Sequence, residues 1–220
     1  MQNLFNDILV PVDLSATTSS VVNKAVEMAR YSIRKGRWEQ QMIDTVKQSR
    51  CDLVLIGHDE DRRPDRNMQV DPDRIAAETD IPVISMPYER RLTHIYSILI
   101  PVTHFLPIRK LMYGAYIASK NQASLKLLGV ETAHSKERTR YFLKKSYELI
   151  HESSSVYVGL ALTETENVAA AVGMLAREEA TDLVLVNPGE ETRLPGSLLS
   201  PQHKTLSKAS SSPVLIINPL

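Results

Sequence analysis

Three strand-like blocks occur twice in this chain, in the same order. "DILVPVDLS" at Asp7–Ser15 returns as "SILIPVTHF" at Ser97–Phe105, an offset of 90. "CDLVLIGHDE" at Cys51–Glu60 returns as "TDLVLVNPGE" at Thr181–Glu190, an offset of 130. "IPVISMP" at Ile81–Pro87 returns as "SPVLIINP" at Ser212–Pro219, an offset of 131. An internal repeat constrains the fold more than any single residue does. The chain reads as two copies of one unit. Because the offset jumps by 40 between the first and second blocks, copy one is shorter by about that much, and the loss lies between Ser32 and Arg50.

Copy two shows the complete pattern. A first helix, "LPIRKLMYGAYIAS", leads to the β-rich "SLKLLGVET". "KERTRYFLKKSYELIHES" has apolar residues near helical spacing. "VYVGLALTE" reads as a strand, and "NVAAAVGMLAREEA" as an Ala-rich helix with Asn167 as its N-cap. Copy one passes from "SSVVNKAVEMARYS" directly to "WEQQMIDTVKQSR", so a strand–helix–strand piece is missing. Strict alternation of strand and helix predicts an α/β fold, an open parallel sheet with helices on both faces. Continuous apolar runs such as "DLVLV" suit strands buried on both faces. The expected units are residues 1–88 and 95–220, joined by a charged linker, 89–94, within "YERRLTH".

Composition narrows the function. Hydrophobic residues make up 43% of the chain, enough for a core, and the formal net charge is zero. Nucleic-acid binders usually carry a basic excess, so no nucleic-acid partner is expected. One cysteine, Cys51, allows no intrachain disulfide and suits a reducing cytosol. The N-terminal "MQNLFNDILVPV" lacks the basic start of a signal peptide, and no apolar run reaches membrane-span length. The expected location is the cytoplasm.

"ILVPVDLS" followed by a helix, "DLVLIG" followed by a loop, and the terminal "PVLIIN" together resemble the universal stress protein family. The chain resembles a tandem member with a truncated first unit. The resemblance implies strand order 3-2-1-4-5 in the second unit and a reduced 1-4-5 in the first. The deletion then trims a sheet edge rather than opening a hole, and leaves strand 1 as an edge that needs cover. It also implies that the last strands, "PVISMP" and "PVLIIN", pair inside the chain as a pseudo-dimer, with a further homodimer left open.

In open α/β sheets ligands sit beyond the carboxyl ends of the strands, where the strand order reverses. The candidate lining is Asp13, Gly57 and His58 in copy one, and Thr103, Val130, Asn187, Gly189, Gly196, Ser197 and Ser200 in copy two. ATP-binding family members carry an Asp after strand 1 and a G-x2-G-x9-G-[ST] loop after strand 4. Glycines there let backbone N–H groups approach phosphate oxygens. Copy one keeps Asp13 and Gly57, but Asp59, Glu60, Asp61, Asp65, Asp71 and Asp73 crowd the phosphate position, partly offset by Arg62, Arg63 and Arg66. Copy two has Thr103 for the Asp, and its Gly189 and Gly196–Ser197 stand at the wrong spacing. Its helix-opening position falls near Ser200–Pro201, a good N-cap and N1 pair.

Other constellations are weaker. The histidines show no metal spacing, and "HDED" at His58–Asp61 reads as a solvated acidic loop, so no metal is expected. Cys51 reads as a core cysteine, and "SKASSSP" as the end of a helix. No G-x-G-x-x-G follows either first strand, and no acidic pair marks a phospho-receiver site. The expected function is a non-catalytic stress-response, ligand-sensing or interaction protein with degenerate nucleotide loops, no required cofactor, and a small molecule or an unknown protein as partner. The alternative is an adenine-nucleotide binder, for ATP or AMP, with at most slow hydrolysis.

Overall fold

The computed structural model describes residues 5–11, 38–58, 70–87, 94–195 and 205–219. The first half holds β1 (Ile8–Leu9), α1 (Trp38–Gln48), β2 (Leu53–His58), α2 (Pro72–Thr79) and β3 (Val83–Pro87). The second half holds β4 (Ser97–Val102), α3 (Ile108–Asn121), β5 (Ser124–Glu131), α4 (Lys136–Ser153), β6 (Val158–Glu164), α5 (Val168–Glu178), β7 (Leu183–Val186), α6 (Leu206–Ala209) and β8 (Val214–Ile216). The proposed linker residues other than His94, and the helix expected over "SSVVNKAVEMARYS", lie outside the described residues.

The eight strands among the described residues form one sheet in the order β1-β2-β3-β8-β7-β4-β5-β6. Neighbours are parallel except β3 and β8, which run antiparallel with Val83 opposite Ile216, Ile84 opposite Leu215 and Ser85 opposite Val214. The last strands of the two halves therefore meet in the middle of the sheet. Ser85 is fully buried at this seam, and its hydroxyl donates to Ser207 O at 2.7 Å.

Side chains alternate across the sheet, as the two-residue strand period requires. On β4, Ile98, Ile100 and Val102 face one core while Leu99 faces the other; on β7, Leu183 and Leu185 oppose Val184 and Val186. One core is covered by α1, α2, α5 and α6 from both halves, through Ile43, Ile75, Val172 and Leu206. The other is covered by α3 and α4, through Leu111, Ile117, Leu143 and Ile150. A strand with both faces covered can be apolar throughout, which is why "SILIPV" and "LVLV" carry no polar alternation. β6 sits at the free edge and is half-wet, with Leu160 and Leu162 exposed.

Local chemistry fixes the helix starts and stops. Asn167 accepts the Ala170 N–H at 2.7 Å and opens α5. Asp71 accepts the Asp73 N–H at 3.2 Å and, with Pro72 at the first helical position, opens α2. Asp80 and Gln122 close α2 and α3 in the left-handed conformation, at φ of 58° and 55°.

The aspartate of each repeated "DLVL" block does the same job. Asp182, just before β7, accepts the Tyr96 and Ser97 N–H groups at 2.9 and 3.0 Å. Asp52, just before β2, accepts the Asn6 and Asp7 N–H groups at 2.8 and 3.1 Å. Each carboxylate ties the strand it precedes to the entry of the neighbouring first strand. These charged acceptors are worth more than neutral ones.

Candidate functional site

The strand order reverses between β4 and β7 in the second half, so the crevice to inspect lies at their carboxyl ends. It is filled from within. Lys110 lies on the buried face of α3, which also carries Leu111, Gly114, Ile117 and Ala118. A Cβ on Gly114 would stand 2.5 Å from the Ile100 side chain, so the helix rides close to β4 and carries Lys110 down to the strand end. Its Nζ donates to Pro101 O at 2.9 Å and to both Glu191 carboxylate oxygens at 2.6 and 2.5 Å. The lysine side chain is 0% exposed and the glutamate 4%.

Glu191 belongs to the loop that leaves β7. Its Oε2 accepts the backbone N–H of Asn187, the first residue after the strand, at 2.6 Å. Asn187 in turn donates Nδ2 to Ile217 O at 2.6 Å, fixing the loop to the segment after β8. Gly189 has φ of 103°, which a side chain would strain, although open space surrounds its Cβ position. Thr192 closes the loop on itself: its hydroxyl accepts the Gly189 N–H at 3.0 Å.

The first half holds this loop from outside. The Thr192 hydroxyl donates to Asp73 Oδ2, and Ser207 Oγ lies 3.5 Å from Asp73 Oδ1. Nearby, Arg109 on α3 reaches back to Asp80 Oδ1 at 2.5 Å and to Asn218 O at 3.0 Å. Asp71 and Asp73 were expected to crowd a phosphate position in the first copy. Asp71 caps α2 and Asp73 braces the opposite half, because both lie at a helix start packed against the seam.

Electrostatics follow from this burial. Loss of water pushes the Lys110 ammonium below its ordinary value of 10.5, with Glu191 pulling it back up. The same desolvation pushes the Glu191 carboxyl above its ordinary 4.5, opposed by Lys110 and the Asn187 N–H. Each group is charged at a cost, and each is the other's counter-charge, with Pro101 O and the Asn187 N–H adding neutral hydrogen bonds.

The sequence-based candidates separate into groups. Asn187 and Gly189 lie in the loop just described. Thr103 follows β4 and is buried, its hydroxyl without a hydrogen-bond partner among the described residues. Val130 is fully buried in the core, and its carbonyl accepts the Thr139 hydroxyl at 3.3 Å. In the first half, Gly57 and His58 end β2, opposite Met86 and Pro87. Asp13, Gly196, Ser197 and Ser200 lie outside the described residues, as do Asp59, Glu60, Asp61, Asp65 and the three arginines. Cys51 is buried beside Ser49, whose hydroxyl donates to its sulfur at 3.1 Å.

Lys110 and Glu191 are absent from the sequence-based candidates. Helical spacing held the signal for the first: Lys110 stands four residues before Gly114 and seven before Ile117, on the apolar stripe. Glu191 gave none, since "GEE" reads as solvated loop. Beside the pair lies a small depression of about 70 Å³, walled by Phe105, Pro107, Arg109, Lys110, Asn187 and Pro219. Among the described residues, no cluster of three or more His, Cys, Asp or Glu is arranged for a metal, and no helix is long and apolar enough to cross a membrane.

An open, doubly wound α/β sheet, with a loop at the carboxyl end of its switch-point strands, defines a class of fold rather than one activity. Within that class the chain has the universal stress protein fold. It superposes on a universal stress protein from Archaeoglobus fulgidus DSM 4304 with a TM-score of 0.65, at 12% identity, over 94% of this chain and 81% of that one. A functionally unknown protein from Pseudomonas aeruginosa PAO1 matches with a TM-score of 0.56, at 17% identity, over 96% and 81%. No protein-family model matches the sequence, and no curated relative does.

Proposed function

We propose that the chain is a tandem universal-stress-type protein, with units 1–88 and 95–220, that has given up nucleotide binding in its second unit. It acts without catalysis in the cytoplasm, as a ligand-sensing or protein-interaction module. One observation carries this reading: Glu191 presents its own carboxylate to the Asn187 N–H and to Lys110, where a phosphate loop would present bare donors. A triphosphate arriving there would meet a buried negative charge already paired. Like charge at such a site costs several kcal/mol of affinity, roughly, in a dry setting. Replacement of the first-strand aspartate by Thr103, and of the first loop glycine by Asn187, supports the same reading.

Titrating ATP with Mg²⁺, and AMP, into nucleotide-free protein by calorimetry tests it. No saturable heat is expected. Binding at micromolar affinity, about −8 kcal/mol, would replace this reading with that of an adenine-nucleotide binder.

A further inference from the structure

We propose that the position of the Glu191 carboxylate is a small-oxyanion site closed from within, with Glu191 acting as a tethered stand-in for a free carboxylate or inorganic phosphate. This rests on the preceding reading of the loop as self-occupied. The donors are what a built anion site needs, a cation and a backbone N–H converging on two oxygens. They come from separate elements, α3 and the end of β7. Each is also pinned without help from Glu191: Lys110 by Pro101 O at 2.9 Å, and Asn187 by its own bond to Ile217 O at 2.6 Å. The seat should therefore survive when the glutamate side chain is removed.

A second observation is a depression that shares two residues with the seat, Lys110 and Asn187. The depression walled by Lys110, Arg109 and Asn187 measures about 70 Å³. That is several times the roughly 10–15 Å³ one water needs. Asn187 also carries an Oδ1 that is buried without a partner among the described residues. A protonated phosphate oxygen can donate to such an acceptor, whereas a carboxylate cannot, so the two anion sources are separable. In the native chain the tether wins because its carboxylate is always at hand. Its effective concentration is millimolar or above, roughly, so an outside anion must exceed it to enter. Opening the site then means swinging residues 188–192 outward, a movement opposed from the other half by the Asp73–Thr192 bond.

The test uses the full chain carrying Glu191→Ala. Its thermal unfolding is followed with sodium formate and with inorganic phosphate, against sodium chloride at equal ionic strength. A saturable rise in Tm is expected, with half-effect at an anion concentration on the order of 100-fold below any the native chain requires. A larger response to phosphate than to formate assigns the unpaired Asn187 oxygen a part in the site. The double variant Lys110→Met/Glu191→Ala should lose the response. Equal responses in native, single and double variants, or none in the single variant, overturn the proposal. If the single variant does not fold in dilute buffer, refolding yield is read instead. Recovery by formate or phosphate in the single but not the double variant supports the site, and no recovery overturns it. No nucleotide is present in these measurements, so this proposal and the one on ATP can fail separately.

Discussion

Breaking the buried Lys110–Glu191 pair from either side should give opposite pH dependences. Glu191→Gln leaves the ammonium of Lys110 in a dry site with no counter-charge. The protein can then relieve the strain by releasing the proton. From an ordinary value of 10.5, deprotonation at pH 7 costs about 5 kcal/mol, at roughly 1.4 kcal/mol per pH unit. That cost is a ceiling on the part of the destabilisation that comes from the buried charge, and it falls to about 2 kcal/mol at pH 9. Lys110→Met leaves the carboxylate instead. From an ordinary value of 4.5, protonation costs about 3 kcal/mol at pH 7 and about 1 kcal/mol at pH 5. The signs follow from linkage. A base whose folded value is depressed contributes stability above its unfolded value and loses it as pH falls. An acid whose folded value is raised contributes stability below its unfolded value and loses it as pH rises. Urea unfolding at pH 5 to 9, with each variant referred to the native chain at the same pH, reads both slopes. Glu191→Gln should recover toward high pH and Lys110→Met toward low pH. The double change to Met and Leu should cost less than either single change at pH 7, since well-packed apolar groups often replace a buried ion pair without loss. Two flat profiles, or single-variant costs below about 1 kcal/mol at pH 7, would refute the argument that the pair is dry and mutually dependent.

Three further outcomes are expected. Asp182→Ala removes the acceptor for two backbone N–H groups and should cost about 2 kcal/mol; hydrogen exchange at the Tyr96 and Ser97 amides should quicken more than elsewhere. Leu215→Ala, fully buried on β8 opposite Ile84, should cost about 2–5 kcal/mol through its cavity, read as a drop in the urea midpoint with the slope unchanged. Asp73→Ala should cost about 1 kcal/mol and loosen the loop after β7, seen as faster exchange at the Thr192 amide, which bonds Gly189 O at 3.2 Å.

Much of the architecture was legible because it was written in periodicities. The helix expected over Lys136–Ser153 and the Asn167 cap are found where apolar spacing and cap chemistry put them. Strands such as Ser97–Val102 declared double burial by their unbroken apolar run. The site was legible only in outline. The sequence points to Asn187 and Gly189 through their place after a strand, yet what occupies that place depends on a contact between residues 81 positions apart. No local pattern encodes the meeting of Lys110 and Glu191. The paired aspartates were in view, since Asp52 and Asp182 recur at the repeat offset of 130, but their task is to bond backbone on a neighbouring strand. The acids at 71 and 73 show the same limit: charge in a sequence does not reveal which surface it faces, and the engagement of both at the start of α2 had no local signal.

The Asn187 amide reports most directly on whether the loop of the second half is occupied by its own carboxylate. Its proton resonance, assigned by its shift in Glu191→Gln, can be followed as Mg²⁺–ATP is added to nucleotide-free native protein. Because its hydrogen bond to Glu191 at 2.6 Å is already made, the resonance should lie far downfield and stay there through the titration. Movement that saturates with ATP would mean that phosphate displaces Glu191, and the account of a self-occupied loop would be wrong.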